Sequence, residues 1–306
     1  MKKYLVTGAA GFIGSAVAKK LVAAGHEVYT IDNLSTGYAS NIPKGVHFIN
    51  GNVHDQESID KLSQIKMDAI FHIAGQSSGE ISFENPVYDL QTNTQSTLLL
   101  LDYARKTGCT NFIYASTMSV YGDQDILPVK EEFSPNPKSF YAVGKLASEN
   151  YLKIFSNFGI QCTAIRLFNV YGPGQNMDNL KQGMISIFLA QALNEAKITV
   201  KGSTDRFRDF VYIDDVVNAF INSLDCKGGF QVVNVASGVK TTVAQVLDSI
   251  DKEFEHKLEI IIQEGTQGDQ FGIYADNTKA SQVLQWKPLV DFKQGTELMF
   301  NWAKNR

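Results

Sequence analysis

The chain has 306 residues, of which 44% are hydrophobic and 20% are charged, as is typical of a folded globular protein. This length predicts two lobes rather than a single core. The net charge is −4 and the basic residues are scattered, which argues against a nucleic-acid or anionic-membrane partner. No segment has the run of apolar residues that a membrane-spanning helix requires.

The cysteine and histidine spacings argue against a disulfide framework and a metal site. Cys109, Cys162 and Cys226 are far apart and odd in number, which favours a reducing, cytoplasmic compartment. The five histidines show no i, i+4 pairing that would ligate a metal. His72 lies in an apolar run, and we interpret it as a hydrogen-bonded core residue.

The first predicted strand, residues 3–8, runs into a glycine-rich loop. Gly8, Gly11 and Gly14 are spaced G-x-x-G-x-x-G before a helix that ends ahead of Gly25. Glycines here allow a tight turn, a close approach of the backbone to a pyrophosphate, and close helix–strand packing. The N-terminus of the helix would present N–H groups to phosphate. The pattern predicts a dinucleotide site; the alternative is that the glycines serve only the turn.

The second predicted strand, residues 27–32, ends at Asp32. A carboxylate at this position accepts both ribose hydroxyls of an adenosine and repels a 2′-phosphate, which favours NAD over NADP. The alternative is that Asp32 caps a turn with Asn33.

Apolar runs continue to alternate with amphipathic segments up to residue 170. The further predicted strands are residues 46–50, 68–75, 111–116 and 163–168, and a long helix opens at Asn85-Pro86 and ends at Gly108. Repeated βα units of this kind predict an α/β fold with a doubly wound parallel sheet of the Rossmann type. We assign residues 1–170 to this NAD-binding domain.

The alternation of predicted strands and helices becomes less regular over residues 171–306. Helices near 182–195, 214–224 and 242–254 alternate with short strands such as 230–236. We interpret this part as a smaller mixed α/β lobe that binds substrate over the carboxyl ends of the first sheet. It is interleaved with the first domain, so the boundary is approximate.

Two short motifs carry the predicted chemistry. STMSVYG, residues 116–122, places hydroxyl groups at the end of the fifth strand. SFYAVGK places Tyr141 and Lys145 at i and i+4, on one face of a helix. An ammonium beside a phenol lowers the phenol's pKa, which would make Tyr141 a general base. About one Y-x-x-x-K is expected by chance in such a chain, so its position between the fifth and sixth strands is what favours catalysis.

Eight motifs in order resemble the extended short-chain dehydrogenase/reductase family, and within it the NAD-dependent nucleotide-sugar epimerases and dehydratases. They are TGAAGFIGS, IDNLSTG, HIAGQ, STMSVYGD, YAVGK, RLFNVYGPGQ, RFRDFVYIDDVV and GDQFGIYAD. Together they cover essentially the whole chain, and their order is more specific than any single motif.

The resemblance implies a role for residues in each motif. On the cofactor side these are Gly8, Gly11, Phe12, Ile13 and Gly14 at the pyrophosphate, Asp32 and Asn33 at the adenosine ribose, Asn52 and Val53 at the adenine, and Ala74, Gly75, Asn93 and Ser116 along the dinucleotide. The catalytic residues would be Thr117, Tyr141 and Lys145, the last two also reaching the nicotinamide ribose. Asn169, Arg208 and Asp269 would hold the nucleotide diphosphate of the substrate.

Departures from the family pattern narrow the activity. The family often has an acidic residue where Asn52 occurs, and an arginine in the segment where this chain has Thr266 and Gln267. The second departure leaves the identity of the nucleotide open. In the 4,6-dehydratases an Asp-Glu pair follows the catalytic threonine and eliminates water. Here Met118 cannot transfer a proton and Ser119 is a poor acid or base, so the sequence predicts that the chain is not a 4,6-dehydratase.

The resemblance therefore predicts an NAD-dependent epimerase acting at C4 of a nucleotide-diphosphate sugar through a transient 4-keto intermediate. Substrates of the UDP-glucose/UDP-galactose or UDP-GlcNAc type are expected, although UDP, GDP, CDP and dTDP all stay open. The alternatives are a 4-keto-sugar reductase or other sugar-nucleotide redox enzyme, and a non-catalytic dinucleotide sensor. Family analogy also predicts a homodimer formed through the helices at 85–107 and 139–157.

Overall fold

The structure is a computed structural model that describes residues 1–63, 65–179, 183–265 and 271–306. The strands are β1 Lys3–Thr7, β2 Glu27–Asp32, β3 His47–Asn50, β4 Ala69–His72, β5 Asn111–Thr117, β6 Gln161–Leu167, β7 Asn169–Tyr171, β8 Lys197–Lys201, β9 Phe207–Arg208, β10 Phe210–Tyr212, β11 Phe230–Val235, β12 Thr241–Thr242 and β13 Glu259–Gln263. The helices are α1 Phe12–Ala23, α2 Gln56–Asp60, α3 Gly79–Glu84, α4 Pro86–Leu90, α5 Ser96–Thr107, α6 Phe140–Phe155, α7 Met184–Glu195, α8 Ile213–Asn222, α9 Val243–Asp251, α10 Thr278–Leu284 and α11 Phe292–Lys304. Within the described ranges, no helix is both long and apolar enough to span a membrane.

Seven parallel strands form the central sheet, in the order β11-β6-β5-β4-β1-β2-β3. Successive residues of a strand face opposite sides of a sheet, and in β1 Tyr4 and Val6 enter one hydrophobic cluster whereas Leu5 enters the other. Both faces of the sheet are therefore covered, and the predicted doubly wound fold is confirmed. The strand order reverses between β1 and β4, which opens a crevice at the carboxyl ends of these strands.

Strand β11 lies outside its predicted place. The sequence predicts a strand of the smaller lobe at 230–236, but β11 pairs with β6 along its whole length and extends the main sheet. Its inward side chains Val233 and Val235 are fully buried in the core of that sheet. The later segments otherwise form two-stranded pairs, β7 with β10, β9 with β12 and β8 with β13. The predicted boundary near residue 170 stays a prediction.

The predicted long helix is present and contains an irregular turn. Asn85 caps its start, with the Oδ1 atom accepting the N–H of Tyr88 at 3.1 Å, and Gly108 ends it with a left-handed φ of 72°. Between α4 and α5 the chain forms a π-helical turn, Gln91–Gln95, which the sequence does not predict. Such turns are common at functional sites, and this one carries the buried Asn93.

An ion pair inside the core fixes α6 against the strands that carry the predicted site. Arg166 on β6 donates from Nε and Nη2 to the two carboxylate oxygens of Glu149 on α6, at 3.0 and 2.7 Å, and each side chain is 4% exposed. The guanidinium also lies 4.7 Å from the ring centroid of Tyr121. Ser116 on β5 donates its hydroxyl to Glu149 at 2.5 Å. The pair thus connects α6 to both β5 and β6.

Replacing Arg166 with methionine should destabilise the fold strongly, because it leaves the Glu149 carboxylate buried without its cation. Loss of one partner of a buried pair costs about 3–5 kcal/mol, which urea-induced unfolding will measure. The matched control is Lys61→Met, since Lys61 and Glu57 form an exposed i, i+4 pair worth only about 0.3–0.5 kcal/mol. An equal loss of unfolding free energy in the two variants would show that the buried pair stabilises the fold no more than the exposed pair does.

Candidate active site

The glycine-rich loop between β1 and α1 forms a cradle for phosphate. A side chain on Gly14 would place its Cβ 2.1 Å from the carbonyl oxygen of Gly8, so only glycine permits this contact between helix and loop. Gly8 has a φ of +78°, and Gly11 immediately precedes α1. The first-turn N–H groups of a helix have no intrahelical acceptor, so the N-terminus of α1, which begins with Phe12 and Ile13, offers donors and a positive dipole end to a pyrophosphate.

Asp32 connects the end of β2 to the same loop. Its Oδ2 atom accepts the N–H of Ala10 at 2.9 Å and its Oδ1 atom accepts the N–H of Leu34 at 2.8 Å. Each carboxylate oxygen has a second lone pair, which leaves acceptors for ribose hydroxyls. Gly37, which the sequence prediction missed, packs so closely that its Cβ would lie 2.3 Å from the Ala10 oxygen. The loop after β2 therefore closes against the glycine cradle.

The residues predicted at the adenine form a polar chain beside an apolar wall. Asn33 Nδ2 donates to Asn52 Oδ1 at 2.8 Å, and Asn52 Nδ2 donates to Asp55 at 2.8 Å. The neighbouring Val53 is 7% exposed and belongs to the hydrophobic core. The structure thus brings these residues together at the ends of β2 and β3.

The carboxyl end of β4 meets the π-helical turn. Ala74 donates its N–H to Thr7 Oγ1 at 3.1 Å, and Asn93 Nδ2 donates to the carbonyl oxygen of Gln76 at 2.9 Å. A Cβ on Gly75 would lie 2.4 Å from Asn93 Oδ1. This close approach brings the loop after β4 to within contact of Asn93, beside the crevice between β1 and β4.

Thr117, Tyr141 and Lys145 converge at the carboxyl end of β5. The Thr117 hydroxyl lies close enough to the Tyr141 phenol to lower its pKa, and it bonds to Ser119 Oγ at 3.2 Å. Lys145 Nζ donates to the carbonyl oxygen of Ala115 at 2.9 Å and lies 5.8 Å from the ring centroid of Tyr141. The helix that carries both residues begins after Ser139, whose hydroxyl accepts the N–H of Ala142. The three predicted catalytic residues are therefore adjacent.

Burial controls the ionisation of this group. It raises the pKa of Tyr141 to about 12, and the neighbouring Thr117 hydroxyl opposes the rise. Burial also lowers the pKa of Lys145 to about 8. The expectation that Lys145 lowers the pKa of Tyr141 stays a prediction, and loss of hydration is the largest influence on the pKa of this phenol. Formation of the phenolate requires further positive charge near the ring.

The Ser116 hydroxyl is bonded to the buried ion pair between α6 and β6. It donates to Glu149, and Ser116 is 3% exposed. The residue still lines the wall of the main cavity, so its predicted place beside the cofactor stays a prediction.

A cavity of about 610 Å3 joins the catalytic residues to the predicted substrate side. Asn169 lines it and donates its side-chain amide to Met118 Sδ at 3.5 Å and to the backbone oxygen of Asp209 at 3.2 Å. Arg208 lines it too and is 6% exposed, with one guanidinium N–H donated to the Phe207 oxygen at 2.8 Å. The third predicted substrate residue, Asp269, lies outside the described residues.

The cavity contains charged residues that the sequence prediction missed. Lys201 and Arg206 are the two missed residues, and they join Arg208 in its wall. Glu80 on α3 lines the same cavity. Arg206 is the first residue of the motif RFRDFVYIDDVV, two positions before Arg208, and this was the available signal. Lys201 on β8 belongs to none of the eight motifs. The sequence prediction also omitted Asp89, which is buried near Lys145. Asp89 precedes Asn93 by four residues, so the two side chains share a helix face, and this spacing could have indicated that Asp89 belongs to the site.

Comparison with known proteins agrees with this geometry. Residues 4–236 match the NAD dependent epimerase/dehydratase family model. A UDP-glucose 4-epimerase from Mycolicibacterium smegmatis is 34% identical over 99% of this chain and 98% of its own. A UDP-glucuronic acid decarboxylase 1 from Xenopus tropicalis is 31% identical over 96% of this chain and 70% of its own. The structure of the Thermotoga maritima UDP-glucose 4-epimerase with UDP-glucose superposes with a TM-score of 0.96, at 32% identity and 99% coverage of both chains.

The chain belongs to the NAD dependent epimerase/dehydratase family, which confirms the resemblance found in its motifs. The predicted cofactor, NAD, is confirmed as well. The described residues fit this group: Gly8 and Gly14 allow the loop to pack tightly against Ala74 and against the start of α1, whose N–H groups are available to a pyrophosphate, and Asp32 keeps carboxylate lone pairs for a ribose that lacks a 2′-phosphate.

Two glycine variants should separate the packing of the loop from its approach to the cofactor. Gly14→Ala should lower the melting temperature of the cofactor-free protein, because its methyl group meets backbone 2.1 Å away. Gly11→Ala, whose methyl group would lie 3.3 Å from the Gly8 oxygen, should lower the melting temperature less than Gly14→Ala and bind NAD at least tenfold more weakly, a loss of about 1.4 kcal/mol. Thermal melts without NAD and calorimetric titration with NAD provide the two measurements. Parent-like NAD affinity in Gly11→Ala would contradict the assignment of this loop.

Proposed function

We propose that this member of the family is an NAD-dependent 4-epimerase of nucleotide-diphosphate sugars, and that its substrates are uncharged UDP-hexoses. The observation that carries the proposal is the shared cavity. Thr117, Tyr141 and Lys145 line the same space as three cationic side chains from the β8–β9 region. Proton-transfer groups and diphosphate-binding groups can thus act on one molecule.

The proposed cofactor and substrate contacts follow the arrangement of the described residues. NAD would lie across Gly8, Gly11, Phe12, Ile13, Gly14, Asp32, Asn33, Asn52, Val53, Ala74, Gly75, Asn93 and Ser116, with Tyr141 and Lys145 at its nicotinamide ribose. Asn169 and Arg208 would hold the diphosphate, and Asp269, which lies outside the described residues, keeps the role that the family resemblance implies. Bound NAD supplies a reversible hydride acceptor and a positive ring that favours phenolate nearby.

The protein's own residues account for the proton. Tyr141 as phenolate accepts the proton of the sugar's 4-hydroxyl while the hydrogen on C4 leaves as hydride. Thr117 donates a hydrogen bond to the same oxygen, and the Lys145 ammonium, held by the carbonyl of Ala115, stabilises the phenolate. The neutral 4-keto sugar turns within the cavity, its other face receives the hydride, and Tyr141 returns the proton to O4. Atoms and charge balance over the cycle.

Glu80 supports an uncharged sugar. It comes from the start of α3, which lies against the start of α6, where Phe83 and Phe140 pack with ring centroids 5.5 Å apart. Among the lining residues that the structure describes, Glu80 is the only carboxylate. A uronate whose carboxylate reached this end of the cavity would be repelled by that charge. The observation therefore favours a hexose over glucuronic acid, and argues against the reaction named for the decarboxylase relative.

Met118 and Ser119 argue against dehydration. Both line the cavity beside Thr117, and Ser119 donates its backbone N–H to the Thr117 hydroxyl at 3.2 Å. Neither side chain can act as the acid or base that eliminates water from the sugar. A 4-keto-6-deoxy product would therefore contradict the proposal.

The direct test is incubation of purified, NAD-loaded protein with UDP-glucose, UDP-galactose, UDP-GlcNAc and UDP-glucuronate, without added cofactor, followed by NMR of the C4 configuration. We expect interconversion of UDP-glucose and UDP-galactose, and no turnover of UDP-glucuronate. Turnover only when reduced cofactor is supplied would identify a 4-keto reductase instead. Binding of NAD without turnover of any sugar would identify a sensor.

Tyr141→Phe should lower kcat by about 10²–10⁴-fold, because general acid–base catalysis contributes on that order. NAD should stay bound, which absorbance of the purified protein can verify. The matched control is Tyr121→Phe, because the buried Tyr121 hydroxyl donates to Asn234 Oδ1 at 2.7 Å. This variant should have a kcat within a few-fold of the parent. Comparable kcat values for the two variants would refute the role of Tyr141.

We also propose a homodimer, as the family analogy predicts. Exposed apolar side chains on neighbouring helices support it: Val87 and Leu90 on α4 are 65% and 55% exposed, and Phe140, Val143 and Ile154 on α6 are 49%, 51% and 53% exposed. On α6, Val143 follows Phe140 by three residues and Ile154 follows Val143 by eleven, about three helical turns, so all three lie near one face of the helix. A contiguous exposed apolar patch of this kind marks an interface.

The double variant Leu90→Glu, Val143→Glu should be monomeric, because two copies of each new charge would be buried at the interface. Light scattering after gel filtration will give the mass of the parent and the variant. The control is Ile126→Glu, a residue 69% exposed and outside both helices, which should not alter the mass. A monomeric parent protein would disprove the dimer.

The cytoplasmic location stays a proposal. Cys109, Cys162 and Cys226 are all buried free thiols, which is compatible with a reducing compartment.

A further inference from the structure

Asp89 on α4 is a buried carboxylate to which the proposed reaction gives no role. Its side chain is 1% exposed. Oδ1 accepts hydrogen bonds from Gln76 Nε2 at 2.7 Å and from Asn93 Nδ2 at 3.2 Å. Oδ2 is also buried, and no residue in the described ranges donates a hydrogen bond to it. Because burying a carboxylate with an unsatisfied oxygen is costly, its presence here requires a functional reason.

The carboxylate lies against the turn of α6 that carries both proton-transfer residues. A methyl group on Gly144, which directly precedes Lys145 and follows Tyr141 by one turn, would lie 3.5 Å from Asp89 Oδ2. On the other side, a methyl group on Gly75 would lie 2.4 Å from Asn93 Oδ1 and 3.5 Å from Lys145 Nζ. Asp89, its partner Asn93 and the lysine thus occupy one compact cluster.

The other ionisable groups around Lys145 do not provide a counter-charge. His72 on β4 is held by two hydroxyl groups, and burial lowers its pKa well below the usual range, so it is neutral. The ring of Tyr114 on β5 lies 4.8 Å from Nζ, and burial raises the pKa of its phenol. Glu149, one turn further along α6, is committed to Arg166.

Asp89 acts on both members of the proton-transfer pair. Burial lowers the pKa of Lys145, and the Asp89 charge opposes this by favouring the ammonium. The same charge raises the pKa of Tyr141, in the direction of burial itself. For Asp89 itself, burial raises the pKa, and the hydrogen bond from Gln76, the charge of Lys145 and the hydrogen bond from Asn93 oppose the rise.

We propose that Asp89 is a positioning residue for proton transfer: its carboxylate supplies the negative charge that keeps Lys145 an ammonium, and its bond to Gln76 holds the loop after β4 beside the same site. Gln76 extends this hold by donating from Nε2 to the backbone oxygen of Ser78 at 2.7 Å, and Ser78 lines the cavity. The catalytic consequence rests on the proposed function, whereas the charge state of Lys145 does not.

The test is Asp89→Asn, which keeps the shape and the acceptor at Oδ1 but removes the charge. Without that charge the pKa values of Lys145 and Tyr141 both fall. The acidic limb of the pH profile reports formation of the phenolate and the alkaline limb reports loss of the ammonium. Both limbs of kcat/KM should therefore move to lower pH by about one pH unit. A purely structural role would change stability or KM without moving both limbs.

A second readout does not require epimerase activity. Nitrogen-15 NMR of labelled lysine in the cofactor-free protein should show the Lys145 titration at lower pH in Asp89→Asn than in the parent. If this shift is found and no sugar is epimerised, the inference stands and the proposed function fails. If the titration does not shift and sugars are epimerised normally, the proposed function stands and the inference fails.

The matched control is Asp215→Asn on α8. Asp215 is also 1% exposed and accepts the N–H groups of Leu289 and Val290, both at 3.0 Å. Its replacement should lower stability and leave the pH profile and the Lys145 titration unchanged. A pH profile of Asp89→Asn that matches the parent, or moves to higher pH, overturns the proposal. Should that variant fail to fold, carbon-13 NMR of the parent decides, because an Asp89 carboxyl that is protonated at pH 7 also overturns it.

Discussion

The desolvation of Tyr141 and Lys145 is the constraint on which the site depends. Proton transfer at a sugar hydroxyl needs a phenolate beside an ammonium, and burial disfavours both charged forms. It moves the pKa of the phenol up to about 12 and that of the amine down to about 8. Each polar group around the pair can therefore be judged by which charge it restores. Thr117 favours the phenolate, and Asp89 favours the ammonium. Proton transfer needs both charged groups, so it needs both of these neighbours.

The pleat of β5 explains how one strand serves two purposes. Successive residues point to opposite sides of a strand. Tyr114 and Ser116 both face α6, where the first lies under the Lys145 ammonium and the second donates to Glu149. Thr117 is the next residue, and its side chain leaves that face and reaches Tyr141 at the open edge. The strand thus anchors the helix with one hydroxyl and presents the neighbouring hydroxyl to the substrate.

Local patterns predicted most of the fold and the catalytic residues, because strand alternation, the glycine spacing and the i, i+4 pair are all local. They could not assign β11 to the central sheet, because its apolar run is equally compatible with any parallel sheet. Only its pairing with β6 shows which sheet it joins. Nor could spacing give the ionisation of Tyr141: it predicted proximity to Lys145, whereas the pKa depends on burial by distant segments. The Arg166–Glu149 pair joins a helix to a strand and matches no short motif, so it too appears only in three dimensions.

The buried charges distinguish a catalyst from a dinucleotide-binding protein without chemistry. Lys145 and Asp89 are each at most 4% exposed, and apolar residues of similar size at these positions would serve stability better. Clusters of perturbed ionisable groups around a cavity are characteristic of active sites. The charge distribution along that cavity adds a second argument. Lys201, Arg206 and Arg208 line the cavity and would offer strong contacts to a diphosphate, whereas the hydroxyl groups of Ser77 and Ser119, which also line it, are uncharged. Firm attachment at the nucleotide and weak contacts at the sugar are what a 4-keto intermediate needs if it is to turn and expose its other face before the hydride returns.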